Sequence, residues 1–591
     1  MSTKKFLLLL FPLLVAAVLL APRTSTMQSP DQPAAGHVRK KGVDLDVRSL
    51  GRQIADEVAA NGNVVPNDDP GAGQDQTVVP QIKFRGGNVQ TNDPSLDNVH
   101  TFPGFRPFVN FTQSETSVAG FGRNIVASYN SSANVTYSFT PPRTLLLTGV
   151  FLSAFSTSND GGQTWTSGFY PPVPGAFGTF GDPSIDVDSA GNFFFANLGV
   201  DAAGNGTIQV NKSSDGGRTW SDAVVVQQDN GSDKDWLAVG PNPFDLTQDY
   251  EYVTWTSFQQ NGSSQLRFGR STDGGATWTA KTIFAPGSDP NPAHPQNGLT
   301  FSNVYADKVT GRVYVPFLHF SNSDQDFIQI LISDDAGETF HFATFNVPGF
   351  GPTLLPVTQP GELTDCRSGG FRLTINAGAP SAGRFGLRSF VHSTRMTLQP
   401  AFAARNGILY LAWANSSSLV FGDPTASSNI MFMRSDDDGS TWSIPIQVNS
   451  GNASDLHHVL PSLALDNGPN GVHVAFYTQH ADGTLDVDMA NSHDRGISFP
   501  YNRSIRVTSM PFALAPSNIK LSTSTSTNYD RIVDPCYVVG EYLNVKAANG
   551  ALHVLWGDGR NNVTEPVNSL DPLSGQTHPQ TDVFYQKVQA Q

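Results

Sequence analysis

Short apolar segments separated by Gly, Asp, Asn and Ser recur along most of the chain. They come in pairs, such as 184–187 with 193–198, 237–239 with 252–258, and 462–465 with 472–477. Third segments follow the same style at 209–212, 266–270, 430–434 and 486–490. Short apolar runs between turn residues are typical of β-strands. The pattern therefore predicts an all-β protein.

One eight-residue motif, S-x-D-x-G-x-[TS]-[WF], occurs six times. The copies lie at 158–165, 213–220, 271–278, 333–340, 435–442 and 492–499. An Asp side chain accepts hydrogen bonds from backbone N–H groups a few residues on, and Gly adopts positive φ without strain. The final Trp or Phe has enough apolar area to anchor a turn on a neighbouring sheet. We interpret the six aspartates as structural, namely Asp160, Asp215, Asp273, Asp335, Asp437 and Asp494.

The spacing of these aspartates indicates a repeated unit of four strands. Successive intervals are 55, 58, 62, 102 and 57 residues, and each contains three strand signals before the turn and one after it. Four antiparallel strands at this period are typical of propeller blades. We interpret the long interval as a loop insertion at about 341–399, inside a propeller that spans 80–591.

The series continues after the sixth turn. Segments 541–546, 552–556 and 582–588 repeat the first three strands of a unit. We expect a strand from about 80–89 to complete this unit, because closing the ring removes two exposed sheet edges. The sequence thus predicts a seven-bladed β-propeller of four-stranded antiparallel blades, closed by an N-terminal strand in the last blade. Six blades are the alternative.

The N-terminus has the layout of a secretory signal peptide. Lys4 and Lys5 precede an apolar run over 6–20, and Pro22 and Arg23 follow it. The run is short for a membrane span, so we expect residues 1–21 to be removed and the protein to be secreted, extracellular or periplasmic. No stable membrane span is expected after removal. Residues 22–79 read as a poorly ordered linker.

Charge and cysteine content exclude two classes of function. The chain has 36 basic and 51 acidic residues, and a net charge of −15 disfavours nucleic acid as a partner. Cys366 and Cys536 are the two cysteines, too few for a Cys-based zinc site. A single disulfide and two free thiols both remain open.

The six motifs resemble the Asp-box, or BNR, repeats of sialidase-like β-propellers. Segments 113–119, 181–184, 540–542 and 556–560 further resemble secreted bacterial propellers of the sialidase family that have no assigned activity. The resemblance covers most of 110–590 and implies the fold and the location. It does not imply a reaction, because Asp-box propellers have many functions.

Catalytic sialidases carry an arginine triad for the substrate carboxylate, a Tyr–Glu nucleophile pair and an acid/base Asp. The first arginine of the triad lies in an F/Y-R-I-P motif, and this chain has no R-I-P. Phe84-Arg85 and Phe105-Arg106-Pro107 are fragments of it only. This departure favours a binding protein over a sialidase.

Blade geometry locates a candidate site. In a propeller, the first strand of each blade begins near the central channel, on the face opposite the Asp-box turns, and the loops between second and third strands border the same face. Residues at these positions are Glu115, Asp182, Asp233, Asp235, His457, His458, Glu541, Tyr542, Tyr477, His480, Asp558 and Arg560. Glu115, Asp182, Asp235, His458 and Tyr477 are the predicted ligand-binding residues. The sequence does not identify catalytic residues with certainty of role. The candidates are Glu541, Tyr542, Asp558 and Arg560.

Converging carboxylates repel one another unless a cation such as Lys234 or Arg560 compensates. They suit a hard cation such as Ca²⁺, or a carboxylate pair for glycoside hydrolysis, although no cofactor is required. The alternative is that each acid caps its own strand. His457 and His458 are adjacent, so at most one faces the channel.

Three functions stay open. The first is a secreted propeller that binds a glycan or an extracellular protein at the channel face. The second is a sialidase-like exo-glycoside hydrolase, and the third is a scaffold without a small ligand.

Overall fold

Strands make up nearly all of the regular structure. The computed structural model describes residues 37–40, 43–46, 79–80, 87–97, 111–140, 144–261, 263–286, 296–321, 326–357, 399–417, 427–450, 455–500, 504–513, 539–567 and 575–589. The predicted signal peptide, Cys366, Cys536, Arg85 and Arg106 lie outside these ranges. All described residues belong to Ala35–Gln591, the larger of two units of the chain. Within them, no helix is long and apolar enough to cross a membrane.

The strands follow in chain order, with one 3-10 turn at Pro94–Leu96. The first eighteen are β1 (His37–Lys40), β2 (Val43–Asp46), β3 (Val79–Pro80), β4 (Val89–Gln90), β5 (Gln113–Phe121), β6 (Asn124–Ser131), β7 (Val135–Thr140), β8 (Thr144–Phe151), β9 (Ser153–Ser158), β10 (Thr166–Phe169), β11 (Gly178–Val187), β12 (Phe193–Val200), β13 (Gly206–Ser213), β14 (Val224–Gln228), β15 (Ser232–Asn242), β16 (Asp245–Phe258), β17 (Ser264–Ser271) and β18 (Thr279–Phe284). The others are β19 (Gln296–Thr300), β20 (Tyr305–Ala306), β21 (Val313–Ser321), β22 (Asp326–Ser333), β23 (His341–Phe342), β24 (Leu355–Val357), β25 (Ala401–Arg405), β26 (Ile408–Ser416), β27 (Ser428–Ser435), β28 (Ile446–Gln447), β29 (Asp455–Leu465), β30 (Val472–His480), β31 (Leu485–Ser492), β32 (Ile505–Arg506), β33 (Asn544–Ala548), β34 (Ala551–Thr564) and β35 (Thr577–Gln589).

The described chain is all-β and consists of several antiparallel sheets, an arrangement consistent with a β-propeller. Its strands form four-stranded meanders, which we call groups I to VII. These are β5-β6-β9-β10, β11-β12-β13-β14, β15-β16-β17-β18, β19-β21-β22-β23, β25-β26-β27-β28, β29-β30-β31-β32 and β33-β34-β35-β4. One parallel pair, Ser428 with His457, joins groups V and VI into a single sheet.

Several strands add to this basic pattern. The hairpin of β7 and β8 pairs with β11 in group II, and β20 and β24 pair with strands of group IV. Strands β1 and β2 pair with each other inside the segment predicted to be a linker. In the predicted insertion, β23 and β24 are described, whereas 358–398 lies outside the described residues.

Two short strands that precede group I in sequence pair with different groups. Val89 and Gln90 of β4 pair with Tyr585 and Phe584 of β35, which makes β4 the fourth strand of group VII. Strand β3 pairs instead with β10, the last strand of group I. The chain ahead of group I therefore contributes to both the first group and the last.

Polar side chains link the first strands of successive groups. The hydroxyl of Ser117 in group I accepts a hydrogen bond from Ile185 N at 3.2 Å, and Ser184 accepts one from Leu237 N at 2.8 Å. The amide oxygen of Asn544 in group VII accepts a bond from Val118 N of group I at 3.3 Å. Groups VII, I, II and III thus follow one another through contacts between their first strands.

The six repeat turns share one hydrogen-bond pattern. In the first turn, Asp160 Oδ1 accepts bonds from the backbone N–H groups of Gln163 and Thr164, both at 2.9 Å, and Asp160 Oδ2 accepts one from Thr164 Oγ1 at 2.7 Å. Ser158 Oγ accepts a bond from Gly162 N at 2.8 Å. The same bonds recur in the other five turns, so each of the six aspartates is hydrogen-bonded within its own turn.

Each repeat turn packs on the preceding group. Trp165 of group I lies edge-on to Tyr585 of group VII, with ring centroids 4.9 Å apart. In later turns, Phe340 contacts Phe268 and Phe499 contacts Phe432 in the same way. The aromatic anchors therefore help to hold neighbouring groups together, in addition to closing their own turns.

Candidate functional site

The first strands of groups I, II and III each contain a bulge at a charged residue. Glu115, Asp182 and Lys234 have positive φ values of 52°, 56° and 56°, and the pairing register shifts beside each of them. This conformation is uncommon for residues other than Gly, and a bulge redirects side chains away from the regular alternation. The same local distortion therefore occurs at a charged residue in the first strand of each of these three groups.

Asn130 connects the first two of these residues. Its Nδ2 donates a hydrogen bond to Glu115 Oε2, and its Oδ1 accepts one from Asp182 N at 3.1 Å. The carboxylate of Asp182 in turn accepts a bond from Lys234 N at 2.9 Å. A continuous chain of bonds thus runs from group I through group II to group III. The sequence analysis did not identify Asn130, because its role depends on pairing between β5 and β6.

Group VII contributes Glu541 and Tyr542 to the same place. The Lys234 ammonium forms an ion pair with Glu541, and it lies 4.7 Å from the centroid of the Phe301 ring. Gly540 has a φ of +95°, and a Cβ atom there would lie 2.3 Å from Glu115 N. Only glycine allows this approach, so group VII can pack directly against Glu115.

We define the acidic cluster as Glu115, Asp182, Asp233, Asp235 and Glu541, together with Lys234. Each of the five acids is 2% exposed or less, and Lys234 is 5% exposed. The sequence predicted that these acids converge at a channel mouth. The structure brings them together, but buries them.

The carboxyl group of Asp235 is buried without a hydrogen bond to either oxygen. Neither of its carboxylate oxygens has a hydrogen-bond partner, and one oxygen of Glu115, Oε1, also lacks one. Burial, followed by the charges of Asp182 and Asp233, raises the pKa of Asp235 well above its usual range. Asp235 therefore holds a proton at pH values where an exposed aspartate would be ionised.

Two aromatic residues lie next to the cluster. Burial and then the charge of Glu115 raise the pKa of Tyr542, whose hydroxyl donates to the carbonyl of Pro183 at 3.2 Å. Its ring meets the ring of Trp236 edge-on, at a centroid distance of 5.4 Å. The two rings give the site an apolar surface beside its charged groups.

A cavity of about 490 Å³ borders these two rings. It is lined by the later parts of the first strands of several groups, including Tyr542, Trp236, Ala403, Leu463 and Asp186. None of the five acids of the cluster lines it. Trp236 and Tyr542 therefore separate this cavity from the acidic cluster.

The two predicted histidines are bound to neighbouring hydroxyl groups. His457 Nδ1 lies 3.1 Å from Ser428 Oγ, and His458 Nδ1 lies 3.1 Å from Thr478 Oγ1. Burial lowers the pKa of His457 to about 3 and that of His458 to about 4. Both are therefore neutral at physiological pH, and these contacts lie within groups V and VI.

Tyr477 and His480 also make contacts away from the cluster. The Tyr477 hydroxyl donates to Gly557 O and accepts from Gly557 N, both at 3.1 Å, which ties group VI to group VII. His480 lies between Asp455 and Asp486, at 3.0 and 2.8 Å. Burial opposes the charging of His480, but its bonds to the two carboxylates outweigh burial and raise its pKa.

Asp558 and Arg560 bind each other. Arg560 Nε donates to Asp558 Oδ1 at 2.9 Å, and its guanidinium lies 4.3 Å from the centre of the Phe584 ring. Trp556 Nε1 donates to the other oxygen of Asp558 at 2.8 Å. Of the two cations proposed to balance the acids, Lys234 is thus in the cluster, and Arg560 is paired with Asp558.

The geometry of the described residues also bears on metal binding. No group of three or more His, Cys, Asp or Glu among them has an arrangement that could hold a metal ion. The carboxylates of the cluster are oxygen ligands of the kind that Ca²⁺ uses. Calcium binding stays a prediction from the sequence.

Comparisons with known proteins give distant structural similarities. No protein-family model and no curated protein matches the chain. A protein of unknown function from Dyadobacter fermentans is 12% identical with a TM-score of 0.38, over 71% of this chain and 97% of that one. The sialidase of Trypanosoma rangeli, solved with sialic acid, is 12% identical with a TM-score of 0.35, over 86% of this chain and 58% of that one.

A Hadza microbial sialidase gives a similar result. It is 12% identical with a TM-score of 0.37, over 89% of this chain and 98% of that one. The chain spans little more than half the length of the Trypanosoma enzyme. At this level of similarity, the function has to be argued from the residues of the site itself.

Proposed function

We propose that this protein is a secreted Asp-box β-propeller of seven blades that binds a glycan at the acidic cluster. The seven strand groups are its blades, and β4 completes the last one. Support for a closed ring comes from the contacts between groups VII and I, namely Asn544 with Val118 and Trp165 with Tyr585. Residues 1–21 serve as the signal peptide of this proposal.

The observation that carries the binding role is the unsatisfied carboxylate of Asp235. Buried polar groups are nearly always hydrogen-bonded, and leaving one without a partner costs about 1–3 kcal/mol. Here, two oxygens of Asp235 and one of Glu115 lack donors at the same place. A ligand with several hydroxyl or amine donors satisfies them, and sugars carry such donors densely.

The aromatic rings strengthen the case for a sugar. Trp236 and Tyr542 present apolar ring surface beside the carboxylates. Sugars have polar edges and apolar C–H faces, so a site that combines acceptors with aromatic rings suits them.

Glycoside hydrolysis is the second candidate, and one observation favours it. Such enzymes require one protonated and one ionised carboxyl group close together. The pKa of Asp235 is raised by burial and by the charges of nearby Asp182 and Asp233, so these acids are the candidates for such a pair.

Two measurements test the proposal on the full secreted chain. A glycan array with neutral, cationic and anionic sugars should show binding that is lost on Asp235→Asn. Fluorogenic glycosides, including a sialoside, should show no turnover. Turnover that Glu541→Gln abolishes would replace the binding role with hydrolysis. Absence of binding on the array, together with absence of turnover, would refute the glycan proposal altogether.

A further inference from the structure

We infer that the cavity beside Trp236 and Tyr542 is a separate binding site for a small aromatic carboxylate. The groups that bind the carboxylate are the Lys546 ammonium and the Asn544 side-chain amide, both of which line the cavity. None of the five acids of the acidic cluster lines it. The inference therefore goes beyond the proposed glycan binding and does not depend on it.

A bulge shared by six groups sets the depth of each residue in the cavity. One residue in or close to the first strand of each has positive φ, namely Glu115, Asp182, Lys234, Phe301, Leu460 and Gly540. The residues four positions further on are Ala119, Asp186, Ala238, Tyr305, Ala464 and Asn544, and all six line the cavity. Alternate residues of a strand face the same side, so these six residues form one level of the cavity wall.

Small side chains at this level account for the space. Three of the six residues are alanines, and Ala403 of group V also lines the cavity. Because an alanine side chain is a single methyl group, the strands enclose a volume of about 490 Å³. Sites for small organic molecules have volumes of about 300–1,000 Å³. The cavity is therefore large enough for an aromatic ring with a short side chain.

The two ends of the cavity differ in character. Trp236 and Tyr542 lie two residues before the alanine level, and Tyr542 is 5% exposed. Lys546 and Phe121 lie two residues after it, and Phe121 is 41% exposed. An extended chain rises about 3.3 Å per residue, so roughly 13 Å separate Tyr542 from Lys546. The buried end is thus aromatic, and the open end carries a cation.

The carboxylates of the cavity wall already have partners. The charged residues that line the cavity are Lys308, Arg405, Lys546, Asp186, Asp188 and Asp249. Each of the three acids accepts a hydrogen bond from a backbone N–H group, at 2.7–2.9 Å. Asp186 also pairs with Lys308 at 3.3 Å. Burial raises the pKa of Asp186, but the charges of Lys308 and then Lys546 outweigh it and lower that pKa.

Lys546 has donors to spare, unlike the other two cations. Lys308 is paired with Asp186, and Arg405 donates to the backbone carbonyls of Asp466 and Gly468. The Lys546 ammonium acts on Asp186 through its charge, but it forms no hydrogen bond or ion pair with any described residue. An ammonium has three N–H donors. A ligand with a negatively charged acceptor would use them.

Two buried amides add polar groups to the wall. Asn544 is 3% exposed, and its Oδ1 accepts a bond from Val118 N, whereas its Nδ2 donates to no described residue. It lies two residues before Lys546 in β33, so both side chains are on one side of the strand. Gln399 is 7% exposed, and its Oε1 has no hydrogen-bond partner. Buried polar groups are nearly always paired, so these amides indicate a ligand.

An aromatic carboxylate complements this arrangement. Its two oxygens accept bonds from Lys546 and Asn544, and charge-assisted bonds are about twice as strong as neutral ones. Its ring packs against Trp236 and Tyr542, and a hydroxyl group on the ring can donate to Gln399 Oε1. A ligand with an ammonium group would instead bring a second positive charge next to Lys546.

The test compares three probes on the full secreted chain by titration calorimetry at about pH 7.5. They are para-hydroxyphenylpropanoate, its amide, and para-hydroxyphenylpropylamine, which share one ring and differ in charge. We expect the carboxylate to bind at least about tenfold more tightly than the amide, and the amine to bind most weakly.

Substitutions of Lys546 test the binding group. Lys546→Gln should weaken binding of the carboxylate by about tenfold and remove its preference over the amide. Lys546→Glu should reverse the order, so that the amine binds more tightly than the carboxylate. The matched control is Lys281→Gln, at a partly exposed lysine that donates to Glu338 O at 2.6 Å and does not line the cavity. This control should retain wild-type affinities. Circular dichroism verifies that each variant is folded.

Three results would overturn the inference. They are absence of carboxylate binding, equal affinity for the carboxylate and the amide, and unchanged affinity in Lys546→Gln. Tighter binding of the amine to the wild-type chain would also overturn it, because the acids of the wall would then be the binding groups. The glycan array tests the acidic cluster separately, so failure of one proposal can be told from failure of the other.

Discussion

Substitution of Gly162 tests the packing between the first and the last strand group. Gly162 lies in the first repeat turn, with a φ of +90°, and an added Cβ would lie 2.3 Å from the Tyr585 hydroxyl and 2.7 Å from its ring. Tyr585 cannot move aside easily, because Trp165 packs against it and its hydroxyl bonds to His553 at 2.7 Å. Gly162→Ala should therefore lower stability through two separate effects.

The two effects can be sized separately. The left-handed backbone costs a residue with a Cβ about 1–2 kcal/mol, and overpacking costs about 1–3 kcal/mol more. We expect Gly162→Ala to lower the free energy of unfolding by about 2–5 kcal/mol. Gly483→Ala is the matched control, since Gly483 has a φ of +87° and no atom within 4 Å of the added Cβ. It should show the backbone cost alone.

A third variant gives the stability cost of the same substitution at the contact between groups I and II. Gly217 occupies the same place in the second repeat turn, where an added Cβ would lie 2.4 Å from Val126 of group I. Urea unfolding followed by tryptophan fluorescence gives the three stability changes. If groups I and VII pack as closely as groups I and II, Gly162→Ala and Gly217→Ala should cost similar amounts. A cost for Gly162→Ala equal to that of Gly483→Ala would refute the packing between the first and last groups, and with it the closed ring.

Two further predictions concern residues that the sequence placed at the ligand site. Because the pKa of His480 is raised, its ion pairs with Asp455 and Asp486 stabilise the fold fully below about pH 6.5 and progressively less as the pH rises through the folded pKa. The stability of His480→Gln should lack this pH dependence. Thermal unfolding of both proteins across about pH 5–9 measures the difference. An unchanged pH profile would contradict it. Tyr477→Phe should cost about 1–3 kcal/mol of stability, because both backbone groups of Gly557 lose their partner, while glycan affinity stays at the wild-type level. A drop in affinity with intact stability would instead place Tyr477 in the site.

The repeat turns could be predicted because their chemistry is local. All bonds of Asp160 within its turn come from residues at most four positions away, so the motif alone specifies them. The convergence of Glu115, Asp182 and Glu541 was also predictable, because every first strand begins at the same end of its unit. These features follow from the order of elements along the chain.

The hydrogen-bond partners and the backbone conformation of each acid could not be predicted from the sequence. It depends on partners from distant strands, such as Asn130, which lies in β6 and serves both Glu115 and Asp182. Asp558 resembled Asp235 as an acid near the start or end of a strand, yet Trp556 and Arg560 bind both of its oxygens. Positive φ at Glu115 and Asp182 has no local sequence signal either, because it arises from bulged pairing between strands.

The aspartates of the repeat turns and Asp235 differ in how the fold affects their pKa. In the repeat turn at Asp215, burial raises the pKa, but bonds from Thr219, Ser213 and Arg218 outweigh it, so the pKa falls and the ionised form is stabilised by the fold. At Asp235, burial and the charges of Asp182 and Asp233 outweigh the opposing effects of its own backbone N–H and of Lys234, so the pKa rises. The same fold thus provides hydrogen-bond donors to the carboxylates of all six turn aspartates but to neither carboxylate oxygen of Asp235. Unsatisfied groups and strained backbone together are characteristic of sites that are completed by a ligand, where stability is sacrificed for function. The contrast supports the proposed site at the acidic cluster and a stabilising role for the repeat turns.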